Sequence, residues 1–359
     1  MNTLKRILSA VLCLALMSLC LTGCHKKGEI AVVIGDVEFS SGYYACSLVF
    51  ADTQARSKVE EGLSEEEAKK EIDYYKQKVE DTDYVEWVEN TALETLKKLA
   101  AVKALCKQDG FELDAETVST AKSNADYLWK TAGYSALLEA NGVSAETFNQ
   151  YMIDSYLTSE YFEHIYGKGG EKEIAADKLL EQMQNNYALV NIIEVSTSSL
   201  EDDAKTEKQN QLNSYETALK SGAKTFEEVY LEYNGISADE HTHEEAEEGE
   251  TQPLDPHATV IGGEDTDYSS DYYEDAKAMA AGEIKVITKD DSIALVVKKD
   301  IVADPYYLEN LDIALRNDIA GDDFEDDIKG YGEKLKCDIN KSATGQFKVK
   351  KLVYPESGK

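Results

Sequence analysis

Three of the five histidines in this chain, His241, His243 and His257, fall within one short stretch. Imidazoles at alternate positions followed by Glu244 and Glu245 are donor types that suit zinc or another divalent transition ion. The same stretch is crowded with carboxylates and lacks apolar anchors, which is also the composition of a solvated loop. A solvated loop is the expectation, with no metal and no other cofactor held. His164, set among aromatics, is expected to be a packed or surface side chain. Other reactive groups are thinly spread. The chain has no Gly-rich phosphate loop, no Ser-His-Asp pattern, and no carboxylate pair that stands out among 70 acidic residues. Beyond residue 24 the thiols are Cys46, Cys106 and Cys337, none in a Cys-x-x-Cys pair. They are too few for a disulfide framework and are expected as small buried apolar groups, with one bridge from Cys337 to a helical cysteine as the alternative.

The N-terminus carries an address. Lys5 and Arg6 precede an apolar run from Ile7 to Leu21, and Leu21-Thr22-Gly23-Cys24 closes it. A basic start, a short apolar stretch and a small-residue exit make a secretory signal over residues 1–23. The cysteine directly after the small pair resembles the bacterial lipobox, which implies cleavage before Cys24 and acylation of its thiol. The alternative is an ordinary secretion signal with an incidental cysteine. On the lipobox reading the mature chain hangs by a tether, residues 24–29, from the extracytoplasmic face of the cell membrane. No later apolar run approaches the ~20 residues of a spanning helix. Removing Lys5 and Arg6 takes the formal charge from −33 to −35. A surface so negative repels nucleic acid and anionic headgroups, so a nucleic-acid partner is excluded.

The elements that must carry any site change character along the chain. Ile30 to Phe39 predicts two short strands around Gly35-Asp36, and Ser40 or Ser41 can cap the helix that follows. Ser64-Glu65-Glu66-Glu67 reads as a capping box for a helix carrying Ile72, Tyr75 and Val79. Val85, Val88, Ala92, Leu96, Leu99, Val102 and Cys106 form one apolar stripe, stopped at Gly110. Asp114 and Ser144 open two more helices, so Ser40 to Tyr166 is helical by pattern. After a bridging helix near Leu179 the period switches to two, and Leu189 to Val195 reads as a largely buried strand. A polar helix ending at Gly222, a short helix through Phe226, an acidic loop over 234–271, a helix over 272–280 and a hairpin around Asp290-Asp291 follow. Helices over 306–320 and 323–335 then lead to a β-like tail near 347–353.

That order, with the segments "VVIGDVEFS", "YALVNIIEVS", "LKSGAKTFEEVYLEY" and "YYEDAKAMAAGEIKVITKDDSIALVV", resembles extracytoplasmic foldases of the PrsA and SurA type. The resemblance implies an α+β chain. A helical client-binding module of the SurA N-terminal kind would be built from 30–187 and 303–359, with a small parvulin-like α/β domain, 188–302, inserted between. It also implies a lipid-anchored foldase or holdase chaperone whose partners are unfolded or nascent secreted proteins and, through acylated Cys24, the membrane. Two alternatives are an active parvulin-type peptidyl-prolyl isomerase and a solute-binding or adhesion lipoprotein. Two α/β lobes, which solute receptors need, are not suggested by the helix-only N-terminal stretch.

The departures from the family concern chemistry. Parvulins carry a histidine in the first strand, and the matching slot here is Asn191, followed by Ile192 and Ile193. A second histidine, in the closing strand before an aliphatic pair, matches Ala294. The third polar residue has no counterpart, because the acidic loop interrupts the match. Gly262-Gly263 and Tyr273 are candidate remnants of a prolyl pocket. No catalytic residue is therefore assigned, and the isomerase-like domain is expected to be weak or inactive.

Overall fold

The computed structural model describes residues 29–64, 70, 72–237, 239, 241–242, 251–263 and 266–355. The signal segment, the lipobox with Cys24, the capping-box carboxylates 65–67 and His243 lie outside them. In chain order the elements are β1 (Ile30–Ile34), β2 (Val37–Ser40), α1 (Ser41–Glu61), β3 (Lys78–Val79), β4 (Thr82–Asp83), α2 (Tyr84–Asp109), α3 (Ala115–Thr131), α4 (Tyr134–Ala140) and α5 (Ala145–Tyr166). There follow α6 (Ala176–Asn186), β5 (Tyr187–Ser196), α7 (Asp202–Ser221), α8 (Phe226–Asn234), β6 (Thr259–Gly262) and α9 (Tyr273–Ala278). The last are β7 (Ile284–Thr288), β8 (Ser292–Lys299), α10 (Pro305–Asn310), α11 (Asp312–Gly332), β9 (Cys337–Ile339) and α12 (Lys341–Thr344). The class is α+β, as the sequence predicts. Two compact units result, one of residues 1–164 with 323–359 and the other of residues 165–322.

In the first unit, Gly35 at φ 57° turns β1 into β2. Ser40 then starts α1, its hydroxyl accepting the Tyr43 N–H at 3.2 Å. The apolar stripe lies on α2, where Val88, Ala92, Leu96, Leu99, Val102 and Cys106 are buried and Gly110 caps the end at φ 70°. Asp114 caps α3 by accepting the Thr117 N–H at 2.7 Å. The chain's C-terminal part completes this unit. Strand β9 pairs antiparallel with β1, Val32 against Ile339 and Ile34 against Cys337, giving a sheet of order β2-β1-β9. Val349 is buried with Leu48, Ala55 and Val88, and Phe347 and Leu352 pack on the same cluster.

Three expectations are corrected. Residues 72–83 do not continue a helix: Tyr74–Lys76 form one 3-10 turn and Val79 sits in the β3–β4 hairpin. Glu80 and Asp81 take positive φ there, the backbone that a two-residue hairpin turn demands. The tail is a 3-10 turn at Val349–Lys351 rather than a strand. Helix α11 runs unbroken through Gly321, so the break expected near 321–322 falls at Leu311 instead, after the six-residue α10.

The second unit is a four-stranded antiparallel sheet of order β6-β5-β8-β7. Ile193, Val195 and Leu295 pack against Leu212 and Tyr215 of α7 and Val229 of α8. Ala188, Val190, Ala294 and Val296 face Tyr272 and, on α9, Tyr273 and Ala276. The unit boundary differs from the expected 188–302. Leu179 and Met183 of α6 are buried with Tyr187, Leu189, Ile301, Tyr307, Leu311 and Leu315. Helix α6, helix α10 and the start of α11 thus share the sheet's own core, so they divide with it.

Candidate functional site

Strand alternation decides which candidate residues can meet. Paired residues in antiparallel strands point to the same face, and neighbours along a strand point to opposite ones. In the β5–β8 ladder Asn191 lies opposite Val297, and Ala294 lies opposite Glu194. Asn191 therefore shares its face with Ile193, Leu295 and Val297, while Ala294 is on the reverse. The two slots matched to the family's histidines do not form one pocket. The residues of β8 that lie diagonally across from Asn191 are Leu295 and Lys299. Tyr273 belongs to the Ala294 face, where its hydroxyl donates to the Asn185 carbonyl at 2.7 Å. Gly263 packs beside it, a Cβ there standing 3.4 Å from the Tyr273 ring.

Asn191 is fully buried, and neither polar atom of its amide has a hydrogen bond of ordinary geometry. A buried polar group left in this state costs about 1–3 kcal/mol, so such groups are rare unless function keeps them. Leu189 on one side of it belongs to the α6–α10 cluster, and Ile193 on the other to the α7–α8 cluster. Near it stands Asp255, a residue the sequence reading did not single out. Burial would raise the Asp255 carboxyl. Lys299 at 2.6 Å, the His257 N–H at 3.0 Å and the nearby Asn191 amide outweigh that and hold it below its ordinary value. The signal for Asp255 was hidden by the number of other carboxylates.

His241 and His257 are half-buried in this unit, their rings stacked 5.3 Å apart. Among the described residues the thiols Cys46, Cys106 and Cys337 are unbridged, and burial raises all three, Cys106 to about 12.

The first unit holds a cleft of about 340 Å³ made by α1, α2, α5 and α11. Tyr43, Leu99, Val102, Tyr151 and Ile328 give it an apolar wall, and Ser155 and Ser159 stand exposed at its edge. Its anchor is Asp154, which accepts from the Tyr43 hydroxyl, Lys103 and Gln150, each at 2.9 Å. Burial and the Asp154 carboxylate push Tyr43 well above its ordinary value, and burial takes Tyr151 to about 12. Both phenols stay neutral donors at any physiological pH. Lys98 spans from α2 to Glu325 on α11 at 2.5 Å. The cleft thus combines aromatic faces, hydroxyls and two cation–anion pairs, Lys103–Asp154 and Lys98–Glu325, groups that accommodate varied peptide surfaces.

No family model and no curated protein matches this chain. Solved structures do align with it. The foldase protein PrsA of Streptococcus pneumoniae aligns over 71% of this chain and 88% of its own, with 15% identity and a TM-score of 0.40. PrsA of Lactococcus lactis covers 89% of this chain and 100% of its own at 14% identity and a TM-score of 0.40. PrsA of Bacillus subtilis covers 78% and 91% at 14% identity and a TM-score of 0.30. These are proteins of the kind the sequence motifs resemble. Likenesses of this size assign no role to any residue.

Proposed function

We propose that this chain is an extracytoplasmic foldase or holdase, lipid-anchored at Cys24, that captures unfolded segments of secreted proteins. The observation that carries the reading is the cleft around Tyr43, Tyr151 and Ile328, edged by hydroxyls. Exposed apolar segments of a client dock there reversibly, which lowers the concentration of aggregating species until the client folds. The inserted sheet unit serves as scaffold and weak peptide contact rather than as an efficient isomerase. A strongly negative surface keeps the chaperone from self-association.

Two measurements test this. The mature chain should slow aggregation of an unfolded client at near-stoichiometric ratio. Filling the cleft from its exposed edge, with Ser155→Trp and Ser159→Trp together, should raise the concentration needed by about tenfold, one hydrophobic contact's worth. Full-strength suppression by the filled variant, with unchanged circular dichroism, would refute the cleft. For the anchor, Cys24→Ser should leave the protein unprocessed or released from the membrane fraction. Recovery of that variant as acylated, detergent-extractable protein would exclude Cys24 as the attachment point.

A further inference from the structure

We infer that Glu227, His241 and His257 form a binding site for one divalent transition cation of the zinc type. The three come from separate stretches: the first turn of α8, the segment after it, and the approach to β6. One ligand atom of each lies within 4.8 Å of the other two. The sequence puts His243 beside His241 as its partner. The fold instead brings His257 onto His241, with rings 5.3 Å apart and 14° from parallel, and supplies Glu227, which no spacing rule would have found.

The surroundings prepare the site. Tyr230 lies 4.7 Å from the His257 ring and 6.3 Å from the His241 ring, and Phe226 lies 6.2 Å from His257, so one helix face walls both imidazoles. The backbone of His257 is fixed, its N–H donating to Asp255 Oδ1 at 3.0 Å while the Ala258 N–H donates to the Asp255 carbonyl. Glu228 is committed to the capping box with Thr225, and it is Glu227 whose carboxylate oxygen lies within 4.8 Å of a nitrogen of each histidine. Zinc bonds of ~2.0–2.2 Å in a tetrahedron place donors roughly 3.3 Å apart. A turn of each half-buried ring about its side-chain torsions, with a rotamer change of the exposed Glu227, closes that distance and converges the donors. Two imidazoles and one carboxylate select zinc, copper or nickel over calcium and magnesium, which take oxygen donors. Three protein ligands leave a fourth position for water or for a donor on a bound segment. A cation here would clip the chain after α8 to the start of β6.

The probe is zinc chloride alone, titrated calorimetrically into the full mature chain in excess magnesium. One saturable equivalent is expected, and Glu227→Gln and His257→Ala should each weaken it by at least about tenfold, the effect seen even for residues that only support a ligand. Cobalt in place of zinc should give the strong visible bands of a four-coordinate site in the parent chain and lose them in His257→Ala. Glu227 is exposed, so its variant keeps the fold, checked by circular dichroism. Absence of a saturable equivalent, or equal uptake by parent and either variant, overturns the inference and assigns the uptake to the general acidic surface.

Discussion

Assayed on proline peptides with varied preceding residues, the mature chain should accelerate cis–trans exchange little or not at all. The uncatalysed barrier is ~18–20 kcal/mol, and catalysis requires polar groups placed to stabilise a twisted amide. On the sheet face that carries Asn191, its neighbours Ile193, Leu295 and Val297 can neither donate nor accept, and the nearby polar groups, Lys299 and Asp255, are engaged with each other at 2.6 Å. Loss of a single well-placed donor typically costs ~10²–10³ in rate, about 2.7–4 kcal/mol. An efficiency typical of parvulins would refute this and promote the enzyme reading. Strand register adds a sharper comparison. Asn191→His with Leu295→His places both imidazoles on one face, whereas Asn191→His with Ala294→His separates them by the thickness of the sheet. Any gain in rate should appear only in the first pair.

Asp52→Ala should be the most damaging single polar substitution in the helical unit. The Asp52 carboxylate is fully buried and accepts from Arg56 at 2.8 Å, from the Tyr84 hydroxyl at 3.0 Å and from the Tyr354 hydroxyl at 2.5 Å. The Arg56 guanidinium also lies over the Tyr354 ring at 4.0 Å and the Tyr74 ring at 4.3 Å. Breaking a buried ion pair by deleting one partner costs about 3–5 kcal/mol, and the partial exposure of Arg56 favours the lower end. The chain's two tryptophans, Trp87 and Trp129, both lie in this unit, so denaturant unfolding followed by their fluorescence reads its stability alone. A midpoint unchanged by Asp52→Ala would show that the carboxylate is not a keystone. Asp52→Asn, which keeps the acceptor and drops the charge, should fall between the two.

What sequence could reveal followed from periodicity and caps. The α2 stripe, the Asp114 cap, the β5 strand and the β7–β8 hairpin are all local patterns, and each lies where its residues predict. Failures occurred where structure depends on distant partners or on few residues. Strand β9 is three residues long and exists only because β1 offers it an edge. The β3–β4 hairpin rests on Glu80 and Asp81 at positive φ, which acidic residues signal weakly. At the site, residue matching selected Asn191 and Ala294 by their neighbours in sequence, but their faces depend on the β5–β8 register, which no single strand encodes. Asp255 and Glu227 were invisible among so many carboxylates.

The pairing of β1 with β9 also fixes a schedule. Ile34 waits for Cys337, about 300 residues later, before its sheet is complete. On the proposed export route, a chain delivered from its N-terminus can finish the intervening sheet unit while the first hairpin still has an open edge. Early folding of that insert shortens the segment to be closed, and the entropy of closure falls only slowly with length, so the gain is modest but of the right sign. Until its last residues arrive, the helical unit exposes an unpaired strand and an uncovered apolar seam. This protein therefore begins life in the same vulnerable condition as the molecules it is proposed to hold.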